Sequence, residues 1–316
     1  MRGLKLAILG STGQIGRCLA RAYGPRSNVT LFSRRPEVAT SIARQQRLSV
    51  QVAPFEDLRL QQFDVIVNAV GDGEPSRILR AGAAILDVTA RYDQLCLEQL
   101  ERHPETSYVF LSTGAIYGPD YAEARKPDPT LRVPLATHEP DLFYPLAKRI
   151  AELRHRERSA LRIADLRIFG FVSSEMSLDN DLLLAHMMRA LSQKDVFVTR
   201  ADEAPRDYIG IEDLVRMIDL WIEQGCPNDA YDILSAAPTS KFRVLDALKR
   251  RFGLEHRVDV GERRELIPLP ERLSHQRGAE ALGYRACRSS LDQVLHVAEA
   301  YAAVRSTRSH EVPTWA

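Results

Sequence analysis

The chain has 316 residues, 45% of them hydrophobic, and a formal net charge of +1; that length makes one large domain or two unequal ones, and the charge balance gives no global pull toward nucleic acid or a membrane surface. Four cysteines, Cys18, Cys96, Cys226 and Cys287, lie far apart without C-x-x-C spacing, which argues against a disulfide framework or a metal site and fits a reducing cytoplasm. No apolar run approaches the roughly 20 residues that span a bilayer, and Met1 to Gly10 reads as a buried strand rather than a signal peptide.

In chain order, Leu4 to Leu9 is a near-continuous apolar run, the pattern of a parallel strand covered on both faces. A helix follows over Ile15 to Tyr23, then strands at Asn28–Phe32, Ser49–Ala53, Phe63–Val70, Tyr108–Leu111 and Leu161–Phe169. Helical stretches separate them at Glu37–Gln46, Arg77–Arg102 (with an interruption near Gly82) and Leu146–Arg158. Alternating strand and helix predicts an α/β fold, a doubly wound parallel Rossmann sheet. After Gly170 the pattern changes. Helices are expected at 181–191, 212–223, 241–251 (stopped by Gly253) and 291–304, with short strands at 196–198 and 231–234. The organisation read from this is a nucleotide-binding domain of 1–170 plus about 205–235. A smaller α/β substrate lobe of 171–204 plus 236–316 completes it, with the ligand in the cleft between them.

Gly10, Gly13 and Gly16 fall at i, i+3 and i+6 between a strand and a helix. In that context Gly10 allows the tight turn, Gly13 a close approach to a pyrophosphate, and Gly16 close helix packing; the helix start offers free N–H groups to the anion. The cofactor candidates here are Gly10, Thr12, Gly13, Gln14, Ile15 and Gly16. At the end of the second strand stands Ser33-Arg34-Arg35 with no acid. An acid there would bind ribose hydroxyls and repel a 2′-phosphate, whereas guanidiniums fork onto phosphate oxygens. The expected cofactor is therefore NADP rather than NAD; the alternative is two arginines on a solvated loop.

Tyr144 and Lys148 stand four residues apart, on one helix face. A lysine so placed favours tyrosinate and lowers a phenol pKa that is ordinarily about 10. Pro145 is tolerated in a first helical turn. Thr113, ending the fifth strand, is placed to hydrogen-bond a substrate carbonyl, with Tyr144 as general acid in reduction and general base in oxidation.

These segments resemble the extended branch of the short-chain dehydrogenase/reductase superfamily, the nucleotide-sugar epimerase/dehydratase/reductase family. The resemblance rests on the glycine turn and on Val109-Phe110-Leu111-Ser112-Thr113-Gly114-Ala115-Ile116-Tyr117-Gly118. It extends to Tyr144-Pro145-Leu146-Ala147-Lys148, to Arg206-Asp207-Tyr208-Ile209 leading into a helix, and to Tyr231-Asp232-Ile233-Leu234-Ser235. It implies a catalytic set of Thr113, Tyr144 and Lys148, with Ser112 beside the substrate. It also implies a cofactor-lining turn at Asn68, Ala69, Val70 and Gly71, and a diphosphate-holding role for Arg206. Asn180 is a weaker nucleotide candidate that is equally an N-cap, and Arg206 has Asp207 or Glu203 as alternative partners. Homodimerisation through two helices, around Arg77–Arg102 and Leu146–Arg158, is implied at the level of fold.

The departures sharpen the reading. Gly114-Ala115 occupies the place of the family's dehydratase acidic pair, Gly170 that of an asparagine in many epimerases, and Asp87 that of a helix asparagine. Asp72 to Ala84 offers no obvious substrate residue, and His138 and His186 near the cleft read as structural. The resemblance thus implies an NADP-dependent reductase of a nucleotide-linked keto-sugar. Alternatives are an epimerase with retained cofactor, a catalytically silent NADP-binding sensor, or a reductase of a non-sugar carbonyl.

Overall fold

The computed structural model describes residues 3–118, 121, 123–126, 129–131, 140–203, 205–259, 274 and 278–308. Its elements in chain order are β1 (Lys5–Leu9), α1 (Gln14–Tyr23), β2 (Asn28–Phe32), α2 (Pro36–Gln45), β3 (Gln51–Ala53), β4 (Val65–Asn68), α3 (Pro75–Ala81) and α4 (Ala84–Arg102). Then come β5 (Ser107–Thr113), α5 (Phe143–Glu157), β6 (Arg162–Ile168), α6 (Leu183–Gln193), β7 (Phe197–Arg200), β8 (Pro205–Arg206) and α7 (Ile211–Glu223). The chain continues through β9 (Asp229–Ile233), β10 (Thr239–Ser240), α8 (Lys241–Phe252), β11 (His256–Asp259), α9 (Gly278–Ala281) and α10 (Ser290–Arg308).

Seven strands form one parallel sheet in the order β3-β2-β1-β4-β5-β6-β9. This is the expected Rossmann fold. The order reverses between β1 and β4, so the turns that leave these two strands flank the switch point where such sheets bind ligands. Side chains alternate across each strand. In β5, Val109 and Leu111 pack with α1 and α7, while Tyr108 and Phe110 pack with α4 and α5. A separate apolar core joins α6, α8 and α10 around Met187, Leu245 and Val294. Parallel strands β7 and β11 pair beside it, and the short strands β8 and β10 pair antiparallel.

The interruption expected near Gly82 is present: the Arg77–Arg102 stretch is two helices, α3 and α4, parted at Gly82, which has φ +51°. Two sequence expectations are corrected. The helix that carries Tyr144 begins at Phe143 rather than Leu146, so Pro145 lies in its first turn, where its missing N–H is no loss. The strand ending at Thr113 begins at Ser107, and β8, β10 and β11 were not anticipated, because two- to four-residue strands carry too little periodicity to read.

Candidate active site

The glycine turn closes β1 against the sheet. Gly10 has φ +76°, and a Cβ there would lie 2.6 Å from the Ala69 carbonyl oxygen, so the turns after β1 and β4 touch backbone to backbone. Gly13 is exposed at the N-cap of α1, with no side chain capping the helix and no acidic residue in its first turn. The first N–H groups of α1 have no intrahelical partner. This open, uncapped cradle fits a pyrophosphate. Thr12 and Ile15 border it half-buried, and Gly16 packs beneath it. The Gln14 amide turns away and donates to Ser173 Oγ at 3.0 Å.

At the end of β2, the buried Ser33 hydroxyl accepts from the Arg35 N–H at 3.1 Å. Arg34 and Arg35 are exposed and form no ion pair among the described residues, and α2 begins directly after them without a side-chain cap. Two unpaired guanidiniums beside a helix N-terminus form an anion-seeking corner. At the end of β4, Asn68 is 1% exposed; its Oδ1 accepts from Val70 N–H and its Nδ2 donates to the Tyr108 hydroxyl, each at 3.0 Å. Ala69 donates its N–H to Leu9 O at 3.0 Å, which ties the turn to β1.

Thr113 and Tyr144 are brought together: the Thr113 hydroxyl hydrogen-bonds the phenol and also accepts from Ala115 N–H at 3.1 Å. Lys148 does not behave as its spacing predicts. Its amine donates to Leu111 O at 2.8 Å, stands 4.4 Å over the Phe110 ring, and faces the β4 turn, where a Cβ on Gly71 would lie 3.5 Å away. Burial raises the Tyr144 phenol to about 12, against the pull of the Thr113 hydrogen bond. Burial likewise lowers the Lys148 amine to about 8, against the carboxylates of Asp93, Asp165 and Glu152. The expected lowering of the tyrosine is therefore corrected, because the lysine extends across the sheet instead of along its own helix.

Ser112 is corrected as well. Strand alternation points it to the α5 face, where its hydroxyl donates to Glu152 Oε1 at 2.6 Å. Glu152 in turn takes Arg167 Nε at 2.9 Å and Nη2 at 2.7 Å, so Ser112 braces α5 rather than facing a substrate. Arg206, in β8, donates to its neighbour Pro205 O at 3.0 Å and hydrogen-bonds the Tyr208 phenol, with no ion pair among the described residues. The alternative partner Asp207 is buried and accepts instead from Ser235 N–H at 2.8 Å and Ser235 Oγ at 3.0 Å. Asn180 sits in a turn before α6, whose N-cap position is Leu182, so Asn180 does not cap that helix. His186 pairs with Asp181 at 3.2 Å, and Asp87 is exposed at the start of α4. His138 lies outside the described residues. Among the described residues no cluster could hold a metal.

The profile of the NAD dependent epimerase/dehydratase family matches residues 6–233. The chain belongs to this family. No curated protein matches it significantly. Among solved structures it is similar to UDP-glucose 4-epimerase of Thermotoga maritima, at 17% identity and TM-score 0.74 over 98% of this chain and 100% of that one. It is also similar to UDP-glucose-4-epimerase of Stenotrophomonas maltophila with bound NAD, at 15% identity and TM-score 0.76 over 96% and 99%. RMD of Pseudomonas aeruginosa complexed with NADPH matches at 16% identity and TM-score 0.70 over 95% and 99%. At these identities the likeness is one of fold.

In this epimerase/dehydratase-family chain, two features escaped the sequence reading. Gly114 is required: a Cβ there would lie 2.6 Å from the Phe169 ring, so no acidic side chain fits the position after Thr113. Beneath the site, the buried face of α5 is charged, with Lys148, Glu152 and His155 at i, i+4 and i+7. That period was visible in the sequence; what it lacked was the matching polar residues of β5 and β6.

Proposed function

We propose that this protein is an NADP(H)-dependent reductase of a keto group on a nucleotide-linked sugar. The observation that carries the reading is the pair of exposed guanidiniums, Arg34 and Arg35, which form no ion pair among the described residues and directly follow a β2 that ends without an acidic side chain. Gly10, Gly13 and the first N–H groups of α1 would hold the pyrophosphate, and Asn68 to Gly71 and Lys148 the nicotinamide ribose. When bound, the reduced dinucleotide supplies a hydride to the carbonyl carbon. The chain's own groups do the rest. Thr113 orients the carbonyl oxygen, and Tyr144 gives it a proton. A phenol held at about 12 keeps its proton at neutral pH, which suits the reductive direction. Arg206, which forms no ion pair among the described residues, would meet a diphosphate, and Asn180 would be a weaker contact to the nucleotide.

A second reading, an epimerase that keeps its dinucleotide, is supported by the several epimerases among the similar solved structures. Exposed Val88 on α4 and Ile150 and Leu153 on α5 support a homodimer through these helices. Four free cysteines support a cytoplasmic setting; no helix among the described residues is long and apolar enough to cross a membrane.

The test is fluorescence titration with NADPH and NADH, together with keto-sugar nucleotides screened for loss of the reduced-nicotinamide absorbance. Selective NADPH binding with consumption is the expected result. Binding without consumption but with an inverted sugar centre establishes the epimerase, and binding with neither establishes a silent sensor.

A further inference from the structure

At the end of α5 three consecutive basic residues, Arg154, His155 and Arg156, meet two buried aspartates, Asp93 of α4 and Asp165 of β6. Arg154 Nη1 lies 2.9 Å from Asp93 Oδ2, and His155 Nε2 2.7 Å from Asp93 Oδ1. On the other side, His155 Nδ1 lies 2.6 Å from Asp165 Oδ1 and Arg156 Nη2 2.8 Å from Asp165 Oδ2. Each carboxylate thus sits between two cations. Burial works against the imidazolium, but the hydrogen bonds and charges of Asp165 and Asp93 outweigh it and hold His155 at about 9.

This ladder reaches the cofactor turn through one hydroxyl. Tyr108, fully buried, donates to Asp93 Oδ1 at 3.1 Å and accepts from Asn68 Nδ2 at 3.0 Å. The order of donors is forced. Asp93 already meets the Arg154 guanidinium and the His155 ring, and toward Tyr108 its Oδ1 is the acceptor. Tyr108 must therefore give it the phenol proton, which leaves the phenol oxygen to accept. Asn68 must then turn its NH2 toward Tyr108 and its Oδ1 toward the Val70 N–H, which it meets at 3.0 Å. With the amide reversed, an N–H would face the Val70 N–H and the turn would lose its tie.

We propose that Tyr108 is a positioning residue: its hydroxyl carries the polarity of Asp93 to the Asn68 amide and so fixes the Asn68–Gly71 backbone that faces Lys148. This rests on the dinucleotide reading of the site. It gives a role to the helix–strand charge ladder, which touches neither Thr113 nor Tyr144.

The test is NADPH affinity of Tyr108→Phe, which keeps the ring and removes the hydroxyl, with thermal unfolding measured in parallel. The dissociation constant should rise about 5- to 10-fold, the worth of one buried hydrogen bond. On an Asn68→Ala background the same change should add less than about 2-fold, since the relay has already been cut. If Tyr108→Phe melts earlier but binds NADPH as tightly as the parent, the hydroxyl is only structural and the proposal is overturned. If the parent itself binds no dinucleotide, it is the reading of the site that fails. Should Tyr108→Phe not fold, amide exchange in the parent decides: protection of Val70 comparable to β4 is expected, and exchange as fast as at exposed Gly73 overturns the proposal.

Discussion

The Lys148 amine donates to the Leu111 carbonyl at 2.8 Å. The lysine is thereby held across the end of β5, over Phe110 and toward the β4 turn, rather than along α5 toward Tyr144. The tyrosine is left with Thr113 as its hydrogen-bond partner.

One consequence is a pH profile. In the free enzyme the lysine titrates near 8 and the tyrosine near 12. The alkaline limb of kcat/KM for reduction should fall near pH 8, as Lys148 loses its charge, well before Tyr144 ionises. Lys148→Arg should move that limb upward; a limb left in place assigns it to another group.

Tyr144→Phe should leave NADPH affinity within a factor of about 2 and lower kcat by about 10²-fold or more, the loss of a general acid. Steady-state kinetics beside a binding titration separates the two effects. Turnover near the parent's would remove Tyr144 from the mechanism.

Arg34→Ala combined with Arg35→Ala should weaken NADPH by roughly 10- to 100-fold, as expected for lost charge-assisted hydrogen bonds, while NADH changes little. Equal weakening of both cofactors would mean that the arginines do not meet a 2′-phosphate.

His155 makes stability depend on pH. Its folded pKa of about 9 lies above the ordinary 6.5. Its contribution is therefore complete below about pH 6.5 and is lost as pH rises through about 9, on the order of 3 kcal/mol in all. Lys148, lowered to about 8, opposes this trend only above that value. The melting temperature should fall between pH 6.5 and 8, and His155→Gln should flatten the slope while melting lower throughout. An unchanged slope in that variant would place the titration elsewhere.

Gly114→Ala should cost about 1–3 kcal/mol, the usual penalty of overpacking, because its Cβ would come 2.6 Å from the Phe169 ring. Phe169 cannot yield freely, since it stacks on Tyr117 with centroids 6.0 Å apart. Denaturant unfolding measures the loss, and the double variant with Phe169→Leu should recover part of it.

The sequence by itself determined the Rossmann sheet, the glycine turn and the place of Thr113, Tyr144 and Lys148. These depend on local signals: apolar runs with helical or strand period, a turn that needs φ > 0, and residues fixed at strand or helix ends. It also located Arg34 and Arg35, because no acid stands beside them. Only the tertiary structure decided where side chains with a choice would turn. Ser112 was read beside the substrate, but strand alternation sends it to Glu152. Lys148 had both Tyr144 and the strand carbonyls within reach, and Leu111 O took it. Asp93, His155 and Asp165 are 62 and 10 residues apart along the chain, and each alone reads as an ordinary charged residue. Their meaning arises because a buried charge must be paired, and the partners are set by how α4, α5 and β6 pack. Spacing along one element can specify a face, but a network across three elements depends on contacts that no local period encodes.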